Sequence, residues 1–520
     1  MNRRPEQKKS FEARCRNYLF AGITAVIVTF VFAGEPVQAA EPKHGGTLSF
    51  GAEDEFAGFD VIKASGFAIC DAVVLNTILE PLFDTDDKGN LIPALALSAE
   101  PLKDRKLWKI TLRQGVTFHD GTPFNADAVV HHWSRMIDPA NRFRGRSFFE
   151  PIQSVSKVND FTVHFQLAHA WLPFPQILSE TRGLSMFIPS PKAVAEGTQL
   201  RAPVGTGPFV FKQWISGDRL VVKKNPDYWQ KDRPYLDEIV FKIMPDHQTR
   251  FVSLKSGQMD AIWMDRGTII EQAQKDSNLV LHQGEGNGAE IFVLNTTIPP
   301  FDDPRVRRAI AHAWNQEACV TMSYKNAIPV AMHPLGEGID CKEAGYPTYD
   351  PQKAKQLLND YGKPVAIECL HSNTKRGSEQ GELLQHFCKQ IGVVVKPVGL
   401  SFGPVVKKVI TKDYQISTWR MPSATDMGPI LFGNFHSQSR GNVSGYSNPA
   451  LDELLVAQRM ETDAQKRSQM LCDIAGIINR DIPIIYRGGR RFHVIADPAV
   501  KGIPEIKNGV IQLTEAWLEK

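Results

Sequence analysis

Residues able to do chemistry are scattered along this chain, and none of them falls into a catalytic signature. Gly284 to Gly288 (GEGNG) offers glycines of the kind that admit a pyrophosphate. The third glycine comes two residues after the second, however, and an apolar strand pattern follows where a helix is needed, so the GxGxxG geometry fails. His131 and His132 are adjacent; on a helix they point about 100° apart and do not readily share a metal. His119-Asp120 belongs to a turn, His119-Asp120-Gly121-Thr122-Pro123, in which Asp and Gly tolerate unusual backbone angles and Pro fixes its own. HExxH, GxSxG and Walker A patterns are absent from the sequence. Of seven cysteines, Cys70, Cys319, Cys341, Cys369, Cys388 and Cys472 are widely spaced with no CxxC pair, so metal clusters and redox motifs are not expected. No catalytic residue, metal ligand or cofactor is therefore assigned. In an oxidising compartment one or two disulfides could form, though spacing does not give the pairing. Cys388 and Cys472 sit in amphipathic helical patterns and read as free buried thiols.

The best-defined local structure runs from Leu107 to Trp133 (LWKITLRQGVTFHDGTPFNADAVVHHW). Trp108, Ile110 and Leu112 alternate with Lys109, Thr111 and Arg113, the period of a half-buried strand. After the turn, Asn125 or Asp127 can cap a helix carrying Ala128, Val129, Val130 and Trp133. A second such start lies at Phe301 to Ile310, capped near Asp302 or Asp303 with Pro304 in the first turn.

At 520 residues the chain exceeds a single core and predicts two or three domains. Its net charge is +3, and the first 39 residues carry six Lys/Arg against three Asp/Glu; subtracting that +3 leaves the rest near zero. Nothing in this balance points to nucleic acid or an anionic membrane as partner. The first segment reads as a signal peptide. Arg3, Arg4, Lys8, Lys9, Arg14 and Arg16 form a basic region, Leu19 to Phe32 is apolar, and Val37-Gln38-Ala39 supplies small residues for cleavage. A retained anchor is the alternative. Cys15 precedes the apolar run, so it is not the acylated first residue of a lipoprotein.

The Leu107–Trp133 segment resembles the signature of the periplasmic dipeptide- and oligopeptide-binding proteins of ABC transporters (solute-binding family 5). Further matches follow in family order: Gly45 to Phe50, Asn76 to Leu82, Val204-Gly205-Thr206-Gly207-Pro208-Phe209, Ile291 to Ile310, Pro351 to Leu358, Gly445 to Leu455 and Ile482 to Tyr486. The resemblance implies a two-lobed α/β fold with an extra subdomain on the first lobe and a ligand cleft between lobes. The expected division is signal peptide 1–39, first lobe 40–75, 190–287 and 487–520, extra subdomain 76–189, and second lobe 288–486. Glycines near Asn287-Gly288 and at Gly488-Gly489 are candidate hinges.

The resemblance also implies a monomeric, non-enzymatic periplasmic carrier that closes over a di- or oligopeptide and delivers it to an ABC permease. Nickel, haem, glutathione, opines or sugars are alternative cargoes of the same fold, and a periplasmic hydrolase or chaperone is the reading from another class. Site residues are carried over on Trp419-Arg420-Met421-Pro422-Ser423-Ala424-Thr425-Asp426-Met427. Asp426 matches the carboxylate that receives a peptide's α-ammonium, although Met427 stands where the family carries Pro; the alternative is a turn or helix-capping Asp. Arg376 or Arg420 would take the peptide carboxylate, Trp419 would form an aromatic wall of the cleft, and Tyr446 is a further wall candidate. On this reading Asp426 has no partner in the empty protein.

Overall fold

A computed structural model describes residues 41–64, 69–86, 90–179, 186–336, 341 and 344–519; the segment read as a signal peptide lies outside them. Among the described residues, ten strands form one sheet. In spatial order they are Val394–Leu400, Ala366–Ser372, Ile416–Arg420, Val280–Leu294, Ile484–Ala496, Ala261–Met264, Thr47–Ala52, Glu238–Ile243, Arg219–Lys224 and Phe209–Ile215. Two long antiparallel strands at its centre make this sheet into two lobes. Val280–Leu294 and Ile484–Ala496 pair from Val280↔Ala496 to Gly286↔Arg490 in the first lobe, and from Ile291↔Tyr486 to Val293↔Ile484 in the second. The register shifts between Gly286 and Glu290, and again between Glu290 and Ile291. Gly288 lies in this irregularity at φ +83°, and a Cβ there would stand 2.8 Å from the Pro422 carbonyl oxygen, so both conformation and space call for glycine.

Each lobe has its own hydrophobic cluster. The first gathers Phe50, Ile239, Phe241 and Val494 and extends into the subdomain through Trp108, Ile110, Trp133 and Phe165. The second gathers Phe292, Trp314, Leu384, Ile416, Leu431 and Ile485. The subdomain carries an antiparallel four-stranded sheet in the order Ala96–Leu102, Leu107–Leu112, Thr162–Leu167, Ile152–Asn159. Strand Leu107–Leu112 buries Trp108, Ile110 and Leu112, as its alternation predicts.

Local signals resolve cleanly. Asn125, not Asp127, caps Ala126–Ile137, accepting from the amides of Asp127 and Ala128. Asp303, not Asp302, caps Pro304–Ala313. Helix Pro351–Tyr361 starts on Asp350 and stops at Gly362, whose φ is +74°. The GEGNG run is part of strand Val280–Leu294, which removes its dinucleotide reading. One expectation is corrected: Cys472 is not a free thiol but is disulfide-bonded to Cys341, with Cα atoms 5.3 Å apart. The partner lies 131 residues away, so helical amphipathicity around Cys472 carried no trace of it. Cys388 is free and buried.

Candidate functional site

The register irregularity leaves an acidic side chain at the junction of the lobes. Glu290 is 4% exposed in an otherwise apolar stretch, Ala289 to Leu294. A buried carboxylate is tolerated when it is paired and hydrogen-bonded, and four arginines surround this one. Arg376 Nη2 and Arg487 Nη2 each lie 3.0 Å from Oε2, Arg490 Nη1 contacts Oε1, and Arg420 Nε is 3.5 Å from Oε1. Arg487 and Arg490 are three positions apart on one strand and should face opposite sides. Between Glu290↔Gly488 and Ile291↔Tyr486 the partner strand carries Arg487 as an extra residue, and this bulge resets the alternation. Arg487 is further fixed by donating to the carbonyls of Ile291 at 3.0 Å and Trp419 at 3.1 Å. Burial pushes the Glu290 pKa upward, but Arg376, Arg420, Arg490 and Arg487 outweigh it and hold the carboxyl well below the usual range.

The first lobe contributes the opposite wall from the carboxyl ends of two parallel strands, where open α/β sheets place their ligands. Glu53 and Asp54 follow Thr47–Ala52, and Asp265 follows Ala261–Met264. Asp265 pairs directly with Arg376 Nη1. Beside it Arg266 holds Glu379, with Nη2 2.9 Å from Oε1 and Nη1 3.3 Å from Oε2. These two ion pairs join the lobes. Glu53 accepts from Trp263 Nε1 at 3.1 Å. Burial, then the carboxylates of Asp265 and Asp54, push its pKa up to about 7 against the pull of Arg250 and Arg420. Burial also raises Asp54, while Arg420 pulls it down. The Arg420 side chain is 50% exposed. It is thus an open cation projecting from the second lobe toward acids on both sides of the junction.

The five residues singled out in the sequence do not converge. Arg376 and Arg420 meet at Glu290, and Trp419 is beside them on strand Ile416–Arg420, half-buried and packed against the second core. Asp426 is engaged elsewhere. Its Oδ1 accepts from the Gly428 amide at 2.9 Å, and both oxygens lie 2.9 Å from Arg467 Nη2. This is the turn role among the alternatives the sequence left open, and it replaces the expectation that Asp426 lacks a partner in the empty protein. Met427 holds the N-cap position of helix Gly428–Phe435 without a side-chain cap. Tyr446 is 5% exposed within the second core and donates its hydroxyl to Asp481 at 2.6 Å. Sequence reasoning missed Glu290, Asp265, Glu53, Arg487 and Arg490. The available signal was a charge inside an apolar strand (Glu290) and arginines inside a return strand.

Comparisons with known proteins fit this architecture. Residues 90–442 match the family model described as bacterial extracellular solute-binding proteins, family 5 middle. A relative named glutathione-binding protein GsiB from Pectobacterium atrosepticum is 27% identical over 487 residues, covering 91% of this chain and 92% of that protein. Among solved structures, the periplasmic binding protein DppA from Helicobacter pylori in complex with peptide STSA superposes with a TM-score of 0.83 at 24% identity, covering 92% of this chain and 99% of that one. AgaA from A. tumefaciens R10 in complex with agropinic acid gives 0.82 at 24% identity, covering 91% and 99%. The chain belongs to the family 5 bacterial extracellular solute-binding proteins and has the substrate-binding role of an ABC importer.

Proposed function

We propose that the cargo is a short peptide or peptide-like zwitterion, held between the lobes and passed to a membrane permease without bond making. The observation that carries this is the disposition of charge at the junction. Arg420 offers an accessible guanidinium on the second lobe, and Glu53 and Asp54 offer carboxyls on the first. A ligand with a carboxylate at one end and an ammonium at the other pairs with both, and each pair forms fully only when the lobes approach. Arg376, Arg487 and Arg490 are committed to Glu290 and Asp265, so their role is to fix the floor against which Arg420 is presented. The relative named for glutathione binding makes glutathione, a peptide with an additional carboxylate, the first probe to use. Capture outside the cytoplasmic membrane by a monomer, after removal of residues 1–39, belongs to the same proposal. The Cys341–Cys472 disulfide supports an oxidising compartment.

Calorimetric titration with glutathione and a panel of di- and tripeptides tests this reading. Wild type should prefer free termini over N-acetylated and C-amidated forms. Arg420→Gln should lose the penalty for amidation, and Asp54→Asn the penalty for acetylation, because each pair of changes deletes the same contact. Binding that is indifferent to both termini overturns the zwitterion proposal and leaves the family assignment intact.

A further inference from the structure

A basic cavity lies away from the Arg420 junction, between the extra subdomain and the second lobe. It is open to solvent and has a volume of about 380 Å³, within the range of small-ligand pockets. Arg142 and Arg146 line it from the subdomain, Arg440 and Arg459 from the second lobe, and Glu150 is the one carboxylate among the described lining residues. Four guanidinium groups against one carboxylate leave three positive charges in excess with histidines neutral. Arg142, Arg146 and Arg440 are exposed in its mouth, whereas Arg459 is 1% exposed in its wall. Arg459 Nη1 is 3.1 Å from Glu150 Oε2, and its Cζ lies over the Phe432 ring, 3.5 Å from the centroid. Burial lowers its pKa to about 10, although the carboxylates of Glu150 and Asp426 oppose the shift. His436 stacks on the same Phe432 ring at 4.3 Å.

We propose that this cavity binds a small multivalent oxyanion, a polycarboxylate or a phosphate, bridging the subdomain and the second lobe. Guanidinium forks pair with either oxyanion in bidentate fashion, and both sides of the cavity must be in place to supply them. Occupancy therefore favours the arrangement in which the two bodies touch.

The test is calorimetric titration of the full mature chain with sodium citrate and, separately, inorganic phosphate at constant ionic strength. The variant Arg142→Asn/Arg440→Glu removes two mouth arginines; Asn suits the left-handed backbone at position 142, where φ is +51°. Arg420→Gln is the control at the lobe junction. Wild type should bind one anion, the double variant at least tenfold more weakly, and Arg420→Gln as wild type does. Tighter citrate than phosphate assigns a polycarboxylate, and the reverse assigns a phosphate. No binding by wild type, unchanged binding by the double variant, or loss of binding in Arg420→Gln each overturns the proposal. Because glutathione and peptide binding are read through Arg420 and Asp54, failure here is separable from failure of the cargo assignment.

Discussion

Glu80 and Glu290 are both buried carboxylates, 8% and 4% exposed, and the chain treats them in opposite ways. Glu80, just after helix Ile69–Ile78, is satisfied by neutral donors: Tyr228 hydroxyl at 2.8 Å, Thr206 hydroxyl at 2.8 Å and Trp229 Nε1 at 2.9 Å. Burial pushes its pKa up to about 7, and the hydrogen bonds from Trp229, Tyr228 and Thr206 only partly counter it. Glu290, at the lobe junction, is ringed by four arginines and held ionised. The first arrangement ties three separate segments of the chain together and does not depend on charge. The second keeps a fixed charge at the junction of the lobes, and it leaves one of its arginines, Arg420, half exposed. Equal burial therefore does not mean equal role; the partners decide it.

The largest expected effect tests that contrast directly. Glu290→Gln preserves shape but strands buried guanidinium groups, and removing one partner of such a network costs about 3–5 kcal/mol. Urea unfolding at pH 7 should show this loss, with a clearly smaller one for Glu80→Gln. Equal losses would break the comparison.

Acid and base arms sharpen it. The Glu290 pKa is depressed in the fold, so its contribution is present above the ordinary value of 4.5 and is lost only as pH falls into the strongly acid range. The Glu80 pKa is raised from 4.5 to about 7, so its contribution is present below 4.5 and is lost as pH rises through 7. Relative to Glu80→Gln, wild type should therefore lose about 2–3 kcal/mol between pH 5 and pH 8, since a tenfold change in a protonation equilibrium is worth about 1.4 kcal/mol. A flat difference across that window would mean that Glu80 is ionised like Glu290.

Asp426 supplies the intermediate case, a carboxylate with one guanidinium partner. Asp426→Asn should lower stability by about 1–3 kcal/mol, because the Arg467 guanidinium loses its charged acceptor, with little change in peptide or glutathione affinity. A thermal scan and one titration on the same sample decide it. Unchanged stability with weakened binding would restore Asp426 to the cleft.

These cases also mark what was legible in the sequence. Strand Leu107–Leu112 could be read because one face is buried and one is not, and helix starts at Asn125 and Asp303 could be read because capping is local. The return strand was legible only to Tyr486, whereas it runs to Ala496, because Arg487-Gly488-Gly489-Arg490-Arg491 interrupts the apolar pattern. Those same residues build the lobe junction, so the pattern fails where the chain departs from simple packing. Glu290, Asp426 and Cys472 were misjudged or missed for one reason: their partners (Arg376 and Arg487, Arg467, Cys341) are remote in sequence and become neighbours only through the fold.

The smallest expected effect concerns closure itself. Arg266 and Glu379 join the lobes as a partly exposed pair, with side chains 12% and 30% exposed. Solvent screening limits such a pair to roughly 1 kcal/mol or less. Glu379→Ala removes it without touching Glu290, so the ligand-free melting point should stay close to wild type. If the pair exists only when the lobes touch, its loss weakens ligand capture by the same free energy, and affinity for whichever probe wild type binds should fall about fivefold. Gly267→Ala is the harsher counterpart, because a Cβ there would stand 1.8 Å from the carbonyl oxygen of Tyr324 across the same contact. It should weaken capture more than Glu379→Ala does. If Gly267→Ala weakens binding and Glu379→Ala does not, backbone contact sets closure and the ion pair is incidental. If neither does, the bias toward closed lobes resides in the Arg376–Asp265–Glu290 network, and the contrast between Glu290 and Glu80 becomes sharper still.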